Sequence, residues 1–164
     1  MMFRRLKDPI YHTLDDHQIT MKGMIKVGKI SSVRECTLRN TNNNELKTAV
    51  AVTLNVAGAT ETQYKEVTER IKIYTEVSKM KHDNILIFYG TWVENDSLHL
   101  GFEFAEKGKL SEYLRQSRQS KPGTSMSTLT NYQILKIVSE IAQGLSHLHQ
   151  RNIIHGNLQG MPSF

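Results

Sequence analysis

The stretch Thr48-Ala49-Val50-Ala51-Val52-Thr53-Leu54 is a continuous apolar run of strand length, and it constrains this chain more than any other segment. A strand with one wet face alternates apolar and polar residues, so an unbroken run bounded by turn residues reads as a strand in the interior of a sheet. The chain must therefore supply further strands. Upstream, β-rich pieces broken by glycine, Ile19-Thr20-Met21, Met24 to Gly28 and Val33 to Leu38, predict two or three antiparallel strands. The polar run Arg39 to Glu45, rich in asparagine, marks the turn into the central strand. Downstream, Leu86 to Trp92 and Leu98 to Phe104 read as two more strands, joined by the polar turn Glu94-Asn95-Asp96-Ser97.

Two segments carry helix signals. Thr60-x-x-Gln63 has the form of a capping box, and helical spacing follows to about Met80, with Val67, Ile71 and Tyr74 on one face and Ile73, Val77 and Met80 beside it. His82-Asp83-Asn84-Ile85 breaks that helix. After Gly108 a short helix is expected from Lys109 to about Gln116, then a polar linker from Ser117 to Ser127. Thr130-x-x-Gln133 caps a second long helix over 130–150, whose stripe of Ile134, Ile137, Val138, Ile141, Ala142, Leu145 and Leu148 needs cover. The chain supplies little to cover it, so the stripe is expected to face water. Strands followed by helices in this order give an α+β fold.

The net charge of +5 comes from 21 Lys and Arg interleaved with 16 Asp and Glu, which reads as a solvated surface rather than a nucleic-acid face. The single cysteine, Cys36, cannot form an internal disulfide, and no apolar stretch approaches the roughly 20 residues that span a bilayer. A cytoplasmic location is the expectation. Residues 1–18 read as an N-terminal tail, with Met1 to Lys7 solvated; the alternative is a basic segment just inside a membrane helix.

The chemistry-bearing pattern is Ile153-Ile154-His155-Gly156-Asn157-Leu158, directly after the second long helix. With Val50-Ala51-Val52, His82-Asp83-Asn84-Ile85, Gly101 to Leu114 and Leu145 to Leu158 in this order, the chain resembles the protein kinase family over residues 19–159. The segment Val50 to Met80, with Ala57-Gly58-Ala59-Thr60, and the insert-like Ser117 to Ser127 look most like the receptor tyrosine kinase branch. The resemblance implies an N-lobe of five antiparallel strands and one helix over 19–104. It also implies a hinge and partial C-lobe over 105–159, and residues 160–164 depart from the family pattern. The match stops short of the D-F-G and activation-loop region, as in a truncated, pseudokinase-like fragment.

The resemblance also implies what the site lacks. The family's loop is H-R-D-L-x-x-x-N, and here Gly156 stands for Arg, Asn157 for the catalytic Asp and Pro162 for the metal-binding Asn. An amide is no general base near neutral pH, and proline offers no side-chain oxygen to a cation. The strand lysine that holds the phosphates falls at Thr53, and its glutamate partner on the following helix falls at Ile73, with Glu69 and Glu76 one turn away. The G-x-G-x-x-G loop reads Gly28-Lys29-Ile30-Ser31-Ser32-Val33, keeping only Gly28 of its glycines. The adenine end looks better kept: Ala51 against the ring, Phe102 as gatekeeper, and Glu103 and Ala105 in the hinge. His155 is expected to pack in an apolar column with Val77 and Phe88.

The expectation is a catalytically inactive kinase homologue that regulates or scaffolds by binding protein partners, another kinase or a receptor chain among them. It has no metal site, no cofactor requirement and at most weak ATP binding. Two alternatives stay open. One is part of a protein tyrosine kinase that binds ATP and transfers phosphate to proteins. The other is a regulatory kinase-homology region like those of Janus kinases or receptor guanylate cyclases, where an H-G-N loop also occurs.

Overall fold

In the computed structural model of the chain, the residues described are 13–28, 31–54, 60–95, 97–119 and 128–156. They fall into two compact units, one comprising residues up to 81 with 86–104, the other 82–85 and everything from 105 onward.

The first unit contains the strands β1 (His17–Val27), β2 (Ser31–Asn40), β3 (Leu46–Leu54), β4 (Phe88–Glu94) and β5 (Ser97–Glu103), with helix α1 (Glu61–Lys79) between β3 and β4. The sheet order is β1-β2-β3-β5-β4 and every neighbouring pair is antiparallel. The unbroken apolar run therefore lies in the middle strand, as its composition demands. Upstream, Ile19 to Met21 and Met24 to Val27 are one strand rather than two, with register irregularities between Met21 and Lys26 around Gly23. The asparagine turn is held by side chains standing in for backbone: Asn40 Oδ1 accepts from the amides of Asn42 and Asn43 at 2.9 and 3.2 Å, and Asn43 Oδ1 from that of Glu45 at 3.0 Å. The capping box of α1 forms, with the Gln63 amide donating to Thr60 Oγ1 and the Thr60 amide to Gln63 Oε1. β4 starts at Phe88 rather than at Leu86, because Leu86 and Ile87 are exposed and lie outside the core.

Directly opposed residues in an antiparallel ladder share a face, so register assigns each side of β3. Val50, Val52 and Leu54 oppose Phe102, Leu100 and Leu98. This face packs on Ile71 of α1, with Tyr64, Val67, Tyr74 and Phe88 completing the core. Tyr74, Phe88 and Phe102 form an aromatic trio with centroids 5.1–5.6 Å apart. Ala49, Ala51 and Thr53, opposing Glu103, Gly101 and His99, belong to the other face. There Ala49 and Ala51 join Cys36, Leu38 and Leu14 in a second core.

Leu14 corrects one expectation. Residues 13–18 are not a free tail: the Leu14 amide donates to the Thr91 carbonyl at 2.9 Å, Thr13 bridges to Thr91, and the Leu14 side chain is buried. The reason is a hollow left by small residues. A Cβ on Gly101 would meet Leu14 Cδ1 and Trp92 Cζ3, each at 3.3 Å. Burying a leucine there contributes about 1.5–3 kcal/mol, enough to hold a short segment against the sheet.

The second unit contains α2 (Leu110–Gln119) and α3 (Asn131–His149). α2 runs past the expected end at Gln116 because the Ser117 hydroxyl, buried, donates back to the Leu114 carbonyl at 2.8 Å instead of breaking the helix. The rest of the expected linker, Ser120 to Ser127, lies outside the described residues. The capping box of α3 forms on Thr130 and Gln133. Its glycine has a packing purpose: the Asn84 carbonyl comes so close that a Cβ on Gly144 would lie 2.8 Å from it. Asn84 Nδ2 donates to Gln143 Oε1, and the rings of His82 and His147 stand 4.5 Å apart, which binds 82–85 to this unit. Part of the apolar stripe faces solvent, with Ile134 39% and Val138 57% exposed. No helix among the described residues is long and apolar enough to cross a membrane.

Candidate functional site

A strand lysine that pairs with a glutamate on the following helix must leave the strand on the helix side. On β3 those positions are 50, 52 and 54, held here by Val50, Val52 and Leu54. Thr53 leaves from the opposite face, where its Oγ1 is 2.9 Å from His99 Nδ1. The His99 ring in turn stacks on Trp92, with centroids 4.9 Å apart and planes 11° apart. Burial holds the His99 imidazole below its ordinary pKa, and the direction of its hydrogen bond with Thr53 Oγ1 follows the tautomer of the neutral ring. Thr53, at the position that the sequence matches to the lysine, thus lies on the face away from α1, and its helix-facing neighbour is Val52. No lysine stands at either.

Ala51 lies on the same face as Thr53. It is fully buried in the second core with Leu14, Cys36, Leu38 and Ala49, so it presents no surface to an adenine ring. Val50 is its helix-side counterpart, across from Phe102. Burial also pushes the Cys36 thiol up to about 11, with the Glu35 carboxylate adding to the shift, which keeps it protonated near neutral pH.

On α1, Ile73 is 48% exposed, while Ile71 and Thr75 take the buried positions and the Thr75 hydroxyl donates to the Ile71 carbonyl. The nearby carboxylates are engaged along the helix surface, Glu69 with Lys72 and Glu76 with Lys79, each at 2.7 Å. Such exposed pairs contribute a few tenths of a kcal/mol, and neither points a carboxylate at β3.

The glycine turn is tight where it is described. The Gly28 amide donates to the Ser31 carbonyl at 2.8 Å, and a Cβ at 28 would approach that oxygen to 3.1 Å. Lys29 and Ile30 lie outside the described residues. Glu35 is a residue that sequence reasoning missed. It opposes Val50 on β2 and therefore shares the helix-side face, and its carboxylate holds Lys22 Nζ at 3.0 Å. The available signal was the full pattern G-x-G-x-x-G-x-V, which counted from Gly28 puts the terminal valine at 35. An acid stands where an apolar side chain should, and it neutralises the lysine nearest to it.

Phe102, expected as gatekeeper, belongs to the aromatic trio, and Glu103, expected in the hinge, is committed to the start of β4. Its amide donates to the Ile87 carbonyl at 2.8 Å and its Oε2 accepts from the Ile87 amide at 3.2 Å. Ala105, in the second unit, accepts from the Gly108 amide at 2.9 Å, closing a turn in which Gly108 has φ of 64°. After α3 the chain turns through Asn152, at φ 58°, as the Ile153 amide reaches the Leu148 carbonyl at 3.1 Å. His155 is exposed, and Gly156 has φ of 70°. Asn157 and Pro162 lie outside the described residues.

Residues 19–161 match the family of protein tyrosine and serine/threonine kinases. Among individual relatives, the chain is 29% identical to the tyrosine kinase receptor Cad96Ca of Drosophila melanogaster over 80% of its own length and 17% of that protein. It is 26% identical to the BDNF/NT-3 growth factors receptor of Gallus gallus, over 92% of this chain and 18% of the receptor. It is also 26% identical to an Aurora kinase of Schizosaccharomyces pombe, over 70% of this chain and 30% of the kinase. The chain spans less than a third of each of these relatives.

Proposed function

The chain belongs to the protein tyrosine and serine/threonine kinase family, and from that premise we propose that it is a catalytically inactive, tyrosine-kinase-like domain that acts by binding protein partners. The observation that carries this reading is the helix-side face of β3. It is apolar throughout: Val52 and Leu54 pack into the core that holds Ile71 of α1, and Val50 lies on the same face opposite Phe102, where the family's lysine would stand. A contact charge pair is worth up to about 4 kcal/mol at an effective dielectric of about 20, and about 1.4 kcal/mol is tenfold in affinity. Absence of the lysine therefore weakens phosphate binding by one or more decades. Ile73 in place of the glutamate, Glu35 on the roof and Asn157 in place of the catalytic base all act in the same direction.

Partners of the kind expected are another kinase or a receptor chain. The test is a thermal-shift titration of the purified chain with ATP, with and without magnesium, alongside transfer of the γ-phosphate to a tyrosine peptide. No magnesium-dependent shift and no transfer are expected. Either signal would overturn the reading.

A further inference from the structure

β1 is an edge strand of 11 residues, and among the described residues only β2 pairs with it. The opposite edge is engaged at Thr91 by Thr13 and Leu14. An edge strand presents unpaired N–H and C=O groups that template another extended chain.

The side chains of β1 divide by face. Ile19, Met21 and Met24 oppose Leu38, Cys36 and Arg34 on the face of the second core, and Lys26 opposes Val33 on the other. Lys22 reaches Glu35 on that same second side. Met24, Ile25 and Val27 are 46%, 54% and 70% exposed, which leaves apolar surface beside an edge that holds two lysines and no acid. Lys26 has no ion-pair partner among the described residues.

We propose that this edge docks an extended segment of a partner protein in which acidic and apolar residues alternate. Backbone groups extend the ladder, a carboxylate meets Lys26 on one face, and apolar side chains meet Met24 and Val27 on the other. A second copy of the chain is disfavoured, since β1 carries lysines and no acidic residue, so a β1-to-β1 ladder brings no carboxylate to Lys26 from the added strand. Residues 1–12 carry Arg4, Arg5 and Lys7 against a single Asp8, so their sequence has the wrong sign for the same edge. The proposal rests on the partner-binding reading, and it names the surface and the chemistry of the partner.

The experiment is fluorescence anisotropy of a labelled eight-residue glutamate–valine alternating peptide titrated with the full chain, without nucleotide. Controls are a lysine–valine peptide and the acidic peptide N-methylated at alternate residues. The acidic peptide is expected to bind and to weaken with added salt, and neither control should bind. Lys26→Glu should weaken binding about five- to tenfold at unchanged melting temperature. Equal binding of the two charge types, undiminished binding of the N-methylated peptide, or no binding by a folded chain would each overturn the proposal. So would self-association that Lys26→Glu strengthens. Because no nucleotide is present, these outcomes are separate from the phosphotransfer test.

Discussion

Replacing Thr53 by valine separates two placements of the residue that the sequence alone aligns with a catalytic lysine. On the second-core face, Thr53 Oγ1 shares a hydrogen bond with His99 Nδ1 at 2.9 Å, and His99 is only 6% exposed. Valine keeps the shape and removes the hydroxyl, leaving a buried imidazole nitrogen without its partner. Such a loss costs about 1–3 kcal/mol. Thr53 itself is half-buried, which lets water approach from its side and places the expectation in the lower part of that range, about 1–2 kcal/mol. For a chain of this size, about 1 kcal/mol lowers Tm by roughly 2–4 °C. Urea unfolding followed by the fluorescence of the single tryptophan, Trp92, reads the effect directly, because its ring stacks on His99. The same substitution in a His99→Phe background should cost less than about 0.5 kcal/mol, since the partner is gone. A Thr53→Val variant as stable as the parent within about 0.5 kcal/mol would refute the placement and return Thr53 to a solvent-facing position.

Leu14→Ala is expected to cost about 2–5 kcal/mol in the same unfolding assay, because Ala49, Ala51 and Gly101 offer no side chain to refill the hollow. A loss below about 1 kcal/mol would mean that the segment is not packed. Gly144→Ala gains about 1 kcal/mol of helix propensity, yet its Cβ would lie 2.8 Å from the Asn84 carbonyl, so a net loss of about 1 kcal/mol is expected. Faster amide exchange along α3 would report it, and slower exchange would contradict it. His99 has a folded pKa below its ordinary value, so the unfolded chain binds the proton more readily. Its contribution is present above the ordinary histidine range and lost as pH falls through that range toward the folded value. His147, lowered by burial and then by Arg151 and His82, acts with the same sign. Stability measured between pH 8 and pH 5 should therefore fall with acid, about these windows, and His99→Phe should flatten the slope.

Much of the fold was legible because each element carries a local signal. The two capping boxes set helix starts at Thr60 and Thr130, the asparagines of 40–44 set a turn by bonding their own backbone, and the order of elements gave the sheet and helices of the kinase family. The residues expected at the family's catalytic positions, Asn157 and Pro162 among them, were read from identity alone. Less legible was anything that needed a direction. Glu35 escaped notice because its significance comes from lying opposite Val50, and Leu14 because its partners, Ala49, Ala51, Gly101 and Trp92, come from three different strands.

The sequence by itself determined that 48–54 is a buried strand and that no lysine lies within it. Only the tertiary structure decided which side of that strand faces α1. An amphipathic strand announces its phase through alternation, whereas a run of alanine, valine and threonine is equally apolar at odd and even positions, so a one-residue shift of reading costs nothing locally. Pairing with β5 and the bulk of Ile71, Phe88 and Leu100 fix the phase, and they put Val52 on the helix side and Thr53 on His99.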